Sequence, residues 1–165
     1  MKEVFLFIAV LFLAGRAIAQ EELAFPFQGG KDIMTRFFKD SLIVSPEIIR
    51  QRATGVVVFK FTADEMGRIS RLIVYYADDQ LLVGPVIDAL KKSNRKWIIP
   101  NHEKLHDFII PFAFNFSPPP NGNAELEKAM FDSYRNRRPI SATNQVPIDM
   151  ATLLPTIMVN YDITD

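Results

Sequence analysis

Two runs of alternating apolar residues joined by a tight turn, at residues 55 to 77, constrain the fold more than any other part of this 165-residue chain. In the first run Val57, Phe59, Phe61 and Ala63 fall on one side, and Val56, Val58, Lys60 and Thr62 on the other. A period of two is the pattern of a strand with two distinct faces. Asp64-Glu65-Met66-Gly67 interrupts it, with Gly67 able to take the positive φ that turns use. Residues 69 to 77 form a second run of β-branched and aromatic side chains. The pair predicts a β-hairpin with a four-residue connection.

Helical spacing surrounds the hairpin. Ile33, Met34, Phe37, Phe38 and Leu42 lay one apolar stripe along residues 32 to 42. Ser45-Pro46-Glu47 then starts a short helix over 46 to 52: a hydroxyl cap, a proline in the first turn and an acid at the positive end of the dipole. Pro85 opens another helix, which runs through Val86, Ile87, Ala89 and Leu90 to Lys91-Lys92. Residues 108 to 116 predict a third strand, with Phe112, Phe114 and Phe116 alternating with Ala113 and Asn115. Pro111 cannot donate to a ladder, so it points to an edge position. The expected fold is therefore α+β: a small antiparallel sheet of hairpin and third edge strand, with helices packed on one face. Its expected core joins Phe59, Phe61, Leu72, Val74, Leu90 and Phe114, with Trp97 at a helix end. An apolar fraction of 48% with 14 Phe gives enough material for that core and argues against disorder.

The chain ends read differently. Lys2, an unbroken apolar stretch over 4 to 14 and Ala17-Ile18-Ala19 fit a signal peptide cleaved before Gln20. Eleven apolar residues make a helix of about 16 Å, against about 30 Å for a bilayer core, which disfavours the alternative of a retained anchor. Export to the periplasm or cell envelope is the expectation. The chain has no Cys, hence neither disulfides nor a lipoprotein anchor. Formal charge is zero and no long basic run is present, so nucleic acid is not an expected partner. The organisation predicted is a leader at 1–19, a domain at 20–116 and an extension at 117–165. The extension holds the linker Ser117-Pro118-Pro119-Pro120-Asn121-Gly122, a helix over 124 to 137 capped by Asn123, and a tail. Ile157, Val159, Tyr161 and Ile163 alternate in that tail as a strand does, and it is expected to pack back against the edge at 108 to 116.

Four pieces in order carry a resemblance. They are Phe27-Gln28-Gly29-Gly30 before an amphipathic helix, the gapless run from Gly55 to Ile69 with Gly67 in its turn, the helix leading to Trp97, and Ile110-Pro111-Phe112-Ala113-Phe114. Together, over residues 27 to 116, they resemble the C-terminal domain of TonB-type energy transducers. The resemblance implies a non-catalytic protein-binding module without a cofactor. Such a module grips an extended peptide of an outer-membrane receptor or other envelope partner by strand addition. It makes Phe108, Ile109, Ile110, Phe112, Phe114 and Phe116 the peptide-binding edge strand. Three Phe on one face read as core, so the peptide would be held by backbone. A homodimer is left open as a further association. The sequence departs from the family at Ser45-Pro46, Met66-Gly67 and Trp97-Ile98-Ile99-Pro100. With residues 1–19 read as a cleaved leader, no membrane helix or long spacer remains, so peptide binding carries over and energy transduction does not.

One motif competes. His102-Glu103-Lys104-Leu105-His106 matches H-E-x-x-H, which on a helix sets two imidazoles on one face for zinc, with the glutamate as general base. Glu125 or Glu127 would supply a third ligand, and the protein would be a zinc-dependent hydrolase. The stretch lies between Pro100 and Pro111 and runs into a strand, so a solvated loop without metal is the expectation. A structural envelope protein with no peptide site is the third alternative. Arg135, Arg137 and Arg138 with Lys128 are expected to form a solvated basic helix face. Mass spectrometry of protein recovered from cells should find the N-terminus at Gln20; Met1 retained in the membrane fraction would instead identify an anchor.

Overall fold

The computed structural model describes residues 25–117, 124–143 and 147–162. The proposed leader, the Pro118-Pro119-Pro120 linker and Ile163 lie outside these residues. In chain order the elements are α1 (Gly30–Ser41), α2 (Pro46–Gln51), β1 (Gly55–Asp64), β2 (Ile69–Ala77), a 3-10 turn (Gln80–Leu82), α3 (Val83–Lys92), β3 (Leu105–Phe116), α4 (Ala124–Arg135), β4 (Ile140–Ser141), β5 (Thr152–Leu153) and β6 (Ile157–Tyr161). Local chemistry sets the boundaries. The Ile48 N–H donates to Ser45 Oγ at 3.3 Å, capping α2 as the sequence predicts. In the hairpin turn Asp64 Oδ1 accepts from the N–H groups of Met66 and Arg68 at 3.0 and 2.9 Å. Gly67 sits at φ 70°, and a Cβ there would lie 2.4 Å from the Trp97 carbonyl oxygen, so the turn requires glycine.

The sheet has six strands and is mixed, whereas the sequence predicted an antiparallel one. Its order is β4-β2-β1-β3-β5, with β6 also on β3. β1 is antiparallel to β2 and, over ten residue pairs from Gly55↔Phe114 to Asp64↔Leu105, to β3. β5 and β6 run parallel to β3 on its other side. Within this chain β3 is therefore an interior strand. The tail packs back on it, as its alternation predicts, and the 117–165 extension supplies three strands to the sheet.

Pro111 explains how the tail runs. The Leu154 N–H donates to the Ile109 carbonyl at 2.8 Å, so the backbone groups of Ile109 face the tail. Every second residue of a strand presents its backbone to the same side, so Pro111 faces the tail too and offers it no N–H. There the pairing breaks: β5 pairs with Phe108 and Ile109, and β6 resumes at Phe112. Leu154-Pro155-Thr156 bridges the gap. The proline does mark the outer side of the hairpin-plus-strand unit, and that side is covered from within the chain.

The core lies on one face. Val57, Phe59, Phe61 and Ala63 of β1 and Phe108, Ile110, Phe112 and Phe114 of β3 are fully buried. They meet Met34 and Phe38 of α1 and Val86, Ala89 and Leu90 of α3. Of the predicted core, Phe59, Phe61, Leu90 and Phe114 are fully buried, while Leu72 and Val74 pack half-buried beside them, because β2 lies toward the outside of the sheet. Trp97 is the hub: its ring centroid is 4.5 Å from that of Phe61, 5.1 Å from Phe27 and 5.5 Å from Phe108. Its indole N–H donates to Ser93 Oγ at 3.0 Å, which itself donates to the Leu90 carbonyl at 2.6 Å.

Not all of the helical cover is on that face. α4 follows the linker and lines a cleft with Val56 and Ala113 of the opposite face, and its Ser133 Oγ accepts from the Thr54 N–H at 3.0 Å. Phe61→Ala should lower unfolding free energy by about 3–5 kcal/mol in denaturant titration. A loss under about 1 kcal/mol would mean that Phe61 does not face the core.

Candidate functional site

The strand singled out by sequence, β3, separates side-chain and backbone roles. Phe108, Ile110, Phe112 and Phe114 are wholly buried and Phe116 nearly so, while Ile109 lies half-buried on the opposite face. None of the phenylalanine rings is available to a ligand. What β3 offers on its outer side is a ladder of backbone groups, and the chain's own tail occupies it. β6 pairs from Phe112↔Ile157 to Phe116↔Tyr161, and the Ser117 N–H donates to the Tyr161 carbonyl at 2.9 Å.

The tail is anchored at both ends. Ile157, Val159 and Tyr161 turn inward and are buried, while Met158 is about half exposed at 48%. The Tyr161 hydroxyl donates to the Ala53 carbonyl at 2.6 Å, and its ring meets Phe116 edge-on at 5.4 Å. Burial pushes the Tyr161 phenol well above its ordinary pKa, so it stays a donor. At the other end His106 Nε2 is hydrogen-bonded to Thr152 Oγ1 at 2.7 Å, and Nδ1 to Glu103 Oε2 at 2.7 Å.

That last contact also decides the geometry of the H-E-x-x-H stretch. His102 lies in an exposed turn at φ 73°, and His106 is in β3. The hydrolase alternative needs a helix through all five residues, and the chain is turn and then strand there. Both ring nitrogens of His106 are engaged, and Glu125 and Glu127 belong to the first turn of α4. Among the described residues, no three His, Cys, Asp or Glu side chains converge as metal ligands would.

The opposite face of the sheet holds a buried cation that the sequence gives little sign of. Lys60 is 6% exposed. Its ammonium pairs with Asp107 Oδ2 at 2.8 Å and donates to the Pro147 carbonyl. The Thr62 hydroxyl donates to Asp107 Oδ1 at 2.6 Å. Lys60, Thr62 and Asp107 meet because β1 and β3 pair in the register Lys60↔Ile109 and Thr62↔Asp107. Burial alone would raise the Asp107 carboxyl, but the bonds from Lys60 and Thr62 and the Lys60 charge outweigh it and hold the pKa below its ordinary value.

The basic cluster predicted on the C-terminal helix is dispersed. Arg135 stacks over Phe131, Arg137 over Tyr134 and 3.6 Å from Asp78, and Arg138 donates to Gln51. A cleft of about 510 Å³ lies between α4 and the end of the sheet, with Val56, Ala113, Met130 and Arg137 in its wall. No protein-family model, curated protein or solved structure matches this chain.

A carboxylate with a depressed folded pKa contributes stability above its unfolded pKa, and that contribution is lost as pH falls through the folded value. Urea midpoints should therefore fall on acidification below about pH 4, the ordinary carboxylate range. Asp107→Asn should lower the midpoint near neutrality and flatten its acid dependence; an unchanged slope would show that Asp107 is not the group titrating.

Proposed function

We propose that this protein is a non-catalytic binding module of the cell envelope that takes up an extended peptide segment as a strand of its sheet. The observation that carries it is the parallel pairing of β6 with β3. That side of β3 accepts a sequence-distant segment chiefly through backbone bonds, with alternate side chains filling core positions. The ordered likeness of residues 27 to 116 to TonB-type C-terminal domains, and the leader-like residues 1–19, support the same reading. The tail then holds the peptide site in cis. An envelope protein or outer-membrane receptor peptide binds along β3 by displacing β5 and β6. The weak point for displacement is the interruption at Pro111 and Pro155, which limits the tail to two short paired stretches.

The test removes residues 152–165 and returns residues 152–162 as a labelled synthetic peptide. The expected result is saturable binding in parallel register, with new amide protection at Phe112 to Phe116 and a rise in thermal midpoint. If the shortened protein folds only when the peptide is present, that rescue is the same result. A folded shortened protein that does not bind the peptide would overturn the proposal.

A further inference from the structure

The sheet has a second side available for pairing. β4 covers the outer edge of β2 only at Tyr76 and Ala77, and the Ala142 N–H takes the Tyr75 carbonyl. At the other end Asn94 Oδ1 accepts from the Ile69 N–H at 2.9 Å. Between these closures, from Ser70 to Val74, no strand pairs with the outer edge among the described residues. The open row is bounded at both ends, so it fixes a length: an extended segment of about five residues.

The surroundings of this row select by charge. A cleft of about 370 Å³ lies at the start of this row, between β2 and the end of α3, lined by Ile69, Ser70, Arg71, Leu72, Lys91 and Asn94. Arg71 and Lys91 are exposed, and neither forms an ion pair among the described residues. They flank the edge from different sides. Leu72 and Val74 oppose the core residues Phe61 and Phe59, so Arg71 belongs to the opposite face, whereas Lys91 comes from α3 on the core side. Asp88, one turn before Lys91 on α3, is exposed and forms no ion pair with it. Arg68, at the start of the hairpin's return, is already neutralised by Asp64 at 2.8 Å.

We infer that the β2 edge from Ser70 to Val74 is a second docking site, for an acidic extended peptide held between Arg71 and Lys91. This rests on the strand-addition reading above but uses the other side of the sheet, and the tail stays in place. Alternate side chains of an added strand point to opposite faces, so one set of acids meets Lys91 and the other meets Arg71. A second copy of this chain is the poorer occupant. Pairing β2 with β2 would bring Arg71 and Lys91 of each copy against the same cations of the other, which is unfavourable.

The experiment uses the chain from Gln20 to Asp165. It is titrated with a short peptide of repeated Val-Val-Glu-Glu, whose glutamates fall on both faces of an extended strand, and with its Val-Val-Lys-Lys counterpart, with amide exchange read across the sheet. The expected result is binding of the acidic peptide alone, weakened by salt, with protection gained at Ser70 to Val74 and β6 unchanged. The double variant R71E/K91E changes two exposed side chains and should lower affinity by at least about tenfold while leaving the unfolding midpoint in place. Equal binding of both peptides would overturn the inference, as would an R71E/K91E variant that binds undiminished. Protection lost from β6 and exchanged along β3 would overturn it while supporting the displacement site. Self-association of the chain with protection at β2 would also overturn it, by naming a second copy as the occupant.

Discussion

The ten-residue antiparallel pairing of β1 with β3 is the constraint on which the rest depends. It sets Val57, Phe59, Phe61 and Ala63 beside Phe108, Ile110, Phe112 and Phe114 and makes one continuous apolar face. α1, α3 and Trp97 pack because that face exists. The same register brings Thr62 opposite Asp107 on the reverse side, where Lys60 is neutralised. A slip of β1 by one residue would turn Phe59 and Phe61 out of the core and Lys60 into it. The buried ion pair adds little net energy of its own once desolvation is counted, but it penalises wrong registers heavily.

Local pattern carried most of the elements. Alternation in β1 and β2, the Ser45-Pro46 start of α2 and the Lys91-Lys92 end of α3 are written in adjacent residues, and the structure places them within a residue or two of the sequence reading. Pro111 was informative in a subtler way. It does mark the side of β3 that lacks an antiparallel neighbour, but a missing donor cannot reveal that a parallel segment detours around it. β4 and β5 have two residues each, too few to show any period. His106 appeared as half of a metal motif because spacing alone does not say whether five residues coil or extend. Its real partner, Thr152, is forty-six positions away. Lys60 read only as a residue of the strand's second face, since nothing near it in sequence announces Asp107 or Pro147.

The two flanks of the sheet are closed by different means. On β3 a hydrophobic strand seals the ladder and inserts Ile157, Val159 and Tyr161 into the core. On the outer edge of β2 only Tyr76 and Ala77 pair with a strand among the described residues, and the rest is left to cations and a capping asparagine. An edge covered by apolar side chains resists exchange, whereas one flanked by charge resists its own kind and admits the opposite sign. One fold thereby closes one ladder with apolar side chains and flanks the other with cations.

The tail that seals β3 is separated from it by about forty residues of chain, and this has a bearing on biogenesis. At roughly 5–20 residues per second, synthesis leaves β3 without its outer neighbour for a few seconds after the strand itself has emerged. During that interval any chain that has already paired β1 with β3 has a bare ladder beside its apolar face. Until β6 arrives another extended segment can pair there, but once it does its tether gives it a high effective concentration at the ladder. The bond from Tyr161 to Ala53, spanning 108 positions, then helps to hold the tail in place.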